Sequence, residues 1–183
     1  LPSCDLIVGT EEEFAIAGGS ARPEDAVEAV RRMTRGVLVV KRGADGCTIL
    51  PGSDQGAASA LTVPGVPIEV FNVLGAGDAF MSGFLRGWLK GESFETCATW
   101  ANACGAFAVS RLLCSPEIPT WEELQYFLAH GSPHRALRKD EAINHVHWAT
   151  TRRPQPGVLM ALAIDHRKQL ADMANRLGAP AER

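Results

Sequence analysis

One stretch constrains this chain more than any other: residues 72–80, NVLGAGDAF. An apolar run, VPIEV, leads in, and a helix-like run, AFMSGFLRGWLKG, leads out. Gly75, Ala76 and Gly77 therefore stand where a strand is expected to give way to a helix. The first four N–H groups of a helix have no partner inside it and carry the positive end of its dipole, so they attract anions. Gly75 and Gly77 lack Cβ atoms and let a charged group approach the backbone. Asp78 then adds a negative charge to the same small space. That is unfavourable for anion binding alone. It is reasonable if the carboxylate takes a proton from a hydroxyl that attacks a bound phosphate. The competing reading is a tight turn with Asp78 as a helix cap.

The surrounding pattern is alternating α/β with a parallel sheet. Strands are expected at 5–9, 36–42 and 66–71, with 47–50 as a hairpin partner. Helices are expected at 11–19, from Pro23 to about 34, and at about 77–90, 93–110 and 120–129. Residues 51–64 read as a loop. GVLVVKR is apolar throughout, as strands buried on both faces tend to be. A net charge of −3 gives no basic stripe for nucleic acid, and no apolar run reaches membrane-spanning length. The five cysteines are scattered without a CxxC pair, which fits reduced thiols of a cytoplasmic protein.

Two further places are suited to a nucleotide. KRGADG (41–46) opens from a strand end, where ligands bind in α/β sheets; it can equally be a plain hairpin turn. Glu11, Glu12 and Glu13 follow the first strand. A triple acid there is usually a solvated, dipole-favoured helix start, but one of the three could help hold hydrated Mg²⁺ beside phosphates. Together these features suggest phosphoryl transfer. No GxxxxGK[ST] motif occurs, and Phe80 stands where a dinucleotide fingerprint needs its third glycine.

FNVLGAGDAFMSGFLRGWL resembles the second signature of the ribokinase/PfkB carbohydrate kinases, whose core is (D/N)TxGAGDxF. GTEEEFAIAGG resembles that family's NxxE region, VVKRGADG its nucleotide-binding turn, and ANACGAFAVSRLLCSPEIPTWEEL its adenine-side helix and closing loop. The resemblance runs in the family's order from about residue 5 to 130. It implies a ribokinase-like three-layer α/β sandwich, of which this chain is expected to hold the C-terminal half, truncated at its N-terminus. It implies ATP and Mg²⁺ as cofactors and a sugar acid as substrate, with no nucleic acid or membrane partner, and leaves homo-oligomerisation of the full-length parent open. Asp78 would be the catalytic base, and the amides of Gly75, Ala76 and Gly77 the anion hole. Thr10, Lys41, Gly43, Ala44, Asp45, Gly46 and Asn102 would line the ATP site, and Glu13 would position the metal. Thr10 departs from the asparagine of NxxE. Asn72 and Leu74 replace the Asp and Thr that commonly help build a monovalent-cation site, which argues against K⁺ activation.

Composition shifts after Gly131. The reading is a kinase part over 1–130, a linker over 131–156 with a short helix near 138–147, and the first βα unit of a truncated second domain over 157–183, with its strand at 158–165, which the resemblance implies is aldolase-like. His145 and His147 read as linker contacts and not as a metal pair. Asp165, His166 and Arg167 stand at a strand end where barrel enzymes place active groups. The alternatives are another sugar kinase of the family, such as a fructokinase or 2-keto-3-deoxygluconate kinase, and a non-catalytic nucleotide-binding remnant.

Overall fold

The computed structural model describes residues 1–53, 59–112 and 117–151, with positions 172, 173 and 176. The chain divides into two compact units, Leu1–Arg152 and Arg153–Arg183. The expected strand at 158–165, the Asp165-His166-Arg167 group and the second-domain reading lie outside the described residues.

In the first unit, β1 (Leu6–Thr10) leads directly into α1 (Glu11–Gly18), and α2 (Pro23–Met33) into β2 (Val37–Lys41). A 3₁₀ turn, Gly43–Asp45, joins β2 to β3 (Cys47–Leu50), and β4 (Leu61–Val63) completes a sheet of order β1-β2-β3-β4. The remaining helices are α3 (Ala76–Leu89), α4 (Phe94–Ser110), α5 (Trp121–His130) and α6 (Glu141–Thr151).

The all-apolar β2 is explained by its position. Val37 and Val39 enter a core with Phe80 and Phe84 of α3 and Ala98 and Ala101 of α4. Leu38 and Val40 face the other way, onto Phe14 of α1 and Val30 of α2. Alternate side chains of one strand thus fill two cores, and the unit is a helix–sheet–helix sandwich.

Three expectations need correction. The parallel reading holds for β1 and β2, and the hairpin expected of 47–50 is present as the antiparallel β2–β3 pair, but β3–β4 is antiparallel as well, so the sheet is mixed. Residues 61–63, read as loop, form β4, a strand too short to show a period. Residues 66–71, read as a strand, join no ladder among the described residues. Pro67 offers no N–H to a ladder. Instead Glu69 N–H donates to the Arg135 carbonyl (2.8 Å) and Phe71 N–H to that of Val109 (2.7 Å). Part of the segment read as linker is also packed: Leu137 and Ile143 are fully buried against Phe107.

Candidate active site

The parallel register aligns the carboxyl ends of two strands, Thr10 beside Lys41. Lys41 in turn pairs with Cys47, and Cys47 with Val63. Beside this row lies a cleft of about 560 Å³. Thr10 and Lys41 line it, as do Gly43, Ala44 and Gly46 of the turn after β2. Ala76 and Gly77 enter it from the start of α3, and Asn102 from α4.

Local chemistry fixes each of these. Thr10 caps α1: its Oγ1 accepts from Glu13 N–H (3.2 Å), and Glu13 Oε2 accepts from Thr10 N–H (2.6 Å). The threonine that stands in place of the expected asparagine is therefore half of a reciprocal capping box. The Thr10 N–H, with lesser help from the Lys41 ammonium, holds the Glu13 carboxyl below its ordinary pKa. Lys41 Nζ lies 3.6 Å from Glu13 Oε2. It would also lie 3.4 Å from a Cβ built on Gly77. The lysine thus bridges the acidic helix start and the glycine turn.

Gly75 has φ 81°, the left-handed conformation that favours glycine, and turns the chain into α3. Ala76 N–H donates to the Val73 carbonyl at 3.3 Å. The N–H groups of Gly75, Gly77 and Asp78 meet no acceptor among the described residues. Asp78 is exposed in the first turn of α3, directly after these amides. The opening of α3 thus presents donors and one carboxylate side by side.

Asn102 is buried and its Nδ2 donates to the carbonyls of Val63 (3.3 Å) and Pro64 (3.0 Å), tying α4 to the end of β4. Gly46, with φ 91°, is crossed by the chain beyond β4: a Cβ there would lie 2.1 Å from the Val63 oxygen. Asp45 is exposed on the 3₁₀ turn and does not line the cleft. Burial pushes the Cys47 thiol up to about 11, so it stays protonated at neutral pH.

Sequence reading missed Gly65, the apolar residues Val66, Ile68, Val70 and Val109, and Arg135 as cleft residues. A glycine after a proline was the only local signal for Gly65. Nothing in sequence pointed to Arg135, because it reaches the cleft through the pairing of Glu69 with its carbonyl. Among the described residues, no group of three or more His, Cys, Asp or Glu side chains forms a metal cage. His145 and His147 do not form a metal pair: His147 Nδ1 lies 2.7 Å from Glu123 Oε2.

Residues 1–121 match the family described as pfkB family carbohydrate kinase, and residues 123–183 match one described as an uncharacterized protein conserved in bacteria (DUF2090). A curated relative from Bacillus licheniformis, 5-dehydro-2-deoxygluconokinase, is 27% identical over 132 residues, which are 70% of this chain and 39% of the relative. The crystal structure of a putative ribokinase II from E. coli, in complex with ATP and Mg²⁺, superposes with a TM-score of 0.61 at 26% identity, covering 68% of this chain and 39% of that one. Fructokinase from Vibrio cholerae, bound to fructose, ADP and calcium, gives 0.60 at 27% identity, covering 68% and 41%. The chain thus spans about two fifths of the length of these relatives, and its fold is ribokinase-like.

Proposed function

The chain belongs to the pfkB carbohydrate kinase family, and from that membership we propose that the protein carrying it transfers the γ-phosphoryl group of ATP to a primary hydroxyl of a sugar. The narrower reading is a keto-deoxy sugar acid, 5-dehydro-2-deoxygluconate of myo-inositol catabolism, in a cytoplasmic enzyme. The observation that carries the proposal is that Lys41, Ala76 and Gly77 line one cleft, with the Lys41 ammonium close to the Gly77 position and the exposed Asp78 carboxylate next in the chain, outside the cleft lining.

In this scheme Asp78 takes the proton of the attacking hydroxyl as its oxygen bonds to phosphorus and ADP leaves. The N–H groups of Gly75, Gly77 and Asp78 stabilise charge growing on the transferred group, where preorganised donors act most strongly. Ala76 contributes less, since its N–H already has the Val73 carbonyl. Lys41 neutralises phosphate charge. Gly43, Ala44, Gly46 and Asn102 wall the nucleotide. Asp45 was included with them on sequence grounds and takes no part in the scheme.

The residues present fit a hydrated Mg²⁺ and not a protein-caged one, since Glu13 Oε2 is already engaged by Thr10 and Lys41. When bound, Mg²⁺ offsets phosphate charge and keeps most of its waters; Glu13 would reach it through water. Asn72 Nδ2 donates to the Leu112 carbonyl (3.0 Å) and its Oδ1 accepts from Leu74 N–H (3.1 Å). These local bonds leave K⁺ out of the scheme.

The test is an ADP-release assay on the complete encoded protein with 5-dehydro-2-deoxygluconate, 2-keto-3-deoxygluconate, fructose and ribose. Of these, 5-dehydro-2-deoxygluconate should be preferred. Preference for fructose would move the assignment within the family. ATP binding without turnover of any sugar would favour a nucleotide-binding remnant.

A further inference from the structure

The family match ends at residue 121, yet the cleft is lined by Arg135, which lies in the following segment. The main chain at this residue is held from several sides. Its carbonyl accepts from Glu69 N–H, the next two residues, Ala136 and Leu137, are buried, and Arg138 binds both the Glu69 carboxylate and the Ser110 carbonyl. Arg138 also lies over the Phe71 ring, 4.5 Å from its centroid. The backbone that carries the Arg135 side chain is thus fixed.

Its side chain differs from the other cations nearby. Lys41 is paired with Glu13, Arg42 with Glu11 and Arg138 with Glu69. Arg135 has no carboxylate partner among the described residues, and Glu69, the nearest acid in the hydrogen-bonded segment, is taken by Arg138. An unpaired guanidinium on a fixed backbone at the edge of a cleft has donors and a flat cationic face to offer a ligand.

The end of the cleft it serves follows from the chain. Arg135 is bonded to the 66–71 segment, beside Val66, Ile68 and Val70, six residues ahead of the phosphate-facing turn at Gly75. Those neighbours are apolar and suit a flat heterocycle. We propose that Arg135 contacts the base of the nucleotide, stacking on its face or donating to its ring nitrogens, and so helps set nucleotide preference. This rests on the ATP reading above and adds a base-side residue supplied from beyond the kinase family match.

The test uses the 183-residue chain and calorimetric binding of ATP and of inorganic tripolyphosphate in buffer with Mg²⁺. Arg135→Ala should weaken ATP binding about five- to thirtyfold and leave tripolyphosphate binding unchanged. Arg135→Lys should restore only part of the loss, because an ammonium lacks the planar face. Equal thermal midpoints would show that the variants are folded. ATP affinity of Arg135→Ala within twofold of the parent overturns the proposal. An equal loss for both ligands overturns it too, by assigning Arg135 to the phosphates. If the parent chain binds tripolyphosphate and ATP equally well, no base contact exists and the proposal fails while the phosphate site stands. If it binds neither, the nucleotide reading itself fails, and this inference with it.

Discussion

Two places in the first unit concentrate charge, and they are built in opposite ways. Beside the cleft, Asp78 is exposed, the Gly75, Gly77 and Asp78 amides meet no acceptor among the described residues, and the Glu13–Lys41 pair is loose at 3.6 Å. Behind α5, Glu123 is fully buried and both its oxygens are used, one by Arg111 and the other by His147 at 2.7 Å. Arg111 is 3% exposed, donates further to the Glu117 carbonyl and covers the Phe107 ring. Buried charge is tolerated only when it is paired and hydrogen-bonded. Groups left unpaired at a cleft are the ones free to meet a ligand. The difference teaches that saturation, more than charge density, separates a structural cluster from a candidate site.

Substitutions can break that contrast. The largest effect is expected at the cleft. Asp78→Asn in the complete kinase should lower kcat by about 10²–10⁴ while the KM for ATP moves less than about threefold, because a base acts on the hydroxyl and not on the nucleotide. Steady-state kinetics decide it, and a kcat within threefold of the parent removes Asp78 from the scheme.

Next comes the saturated cluster. Glu123→Ala leaves the Arg111 guanidinium buried without its counter-ion and should cost about 3–5 kcal/mol in denaturant unfolding of the chain. The folded fraction should bind ATP as before. A loss of ATP affinity without a loss of stability would invert the comparison.

Gly46→Ala should cost about 2–3 kcal/mol, since φ is 91° and the new Cβ would meet the Val63 oxygen at 2.1 Å. Gly43→Ala is the control. Its φ is also positive, at 58°, but the Cβ meets nothing within 4 Å, so only the backbone penalty of about 1 kcal/mol should appear. Equal costs for the two would show that the crossing at Gly46 carries no weight.

The smallest effect is at Glu13. Its pKa is depressed in the folded chain, so the stability it contributes is present above the ordinary carboxylate range and is lost as pH falls through the lowered value. Glu13→Gln should therefore lower the thermal midpoint slightly at pH 7, and the difference should vanish as the pH falls through the lowered pKa. The effect should stay under about 1 kcal/mol, because the carboxylate is well solvated. A difference that grows in acid would mean that the helix start is not what holds this carboxylate.

Much of the fold was legible in sequence, for local reasons. Pro23 announced the start of α2, and the helices expected at 11–19, 93–110 and 120–129 fall within a residue of α1, α4 and α5, which the structure shows to be capped by Thr10, Ser93 and Thr120. The unbroken apolar run of β2 announced burial on both faces. The β2–β3 hairpin was read, but β4 was not, because it has three residues and its pairing with β3 is decided by contact with a distant segment. Residues 66–71 misled for the same reason. Their apolar pattern suits a strand, but their backbone partners are Val109 and Arg135, which no local signal predicts.

The site divides along the same line. The glycine turn, Asp78, Lys41 and the acidic helix start were readable because their chemistry is contiguous: a helix opening creates unpaired donors wherever it occurs. The sequence by itself therefore determined which local devices this chain carries. Only the tertiary structure decided which of them share a cleft, since the register of β1 against β2 aligns Thr10 with Lys41, and a one-residue slip would send each side chain to the other face. It alone showed that Glu123 is saturated and that Arg135 has no carboxylate partner among the described residues, because pairing of charges depends on distances between segments that the order of residues does not encode.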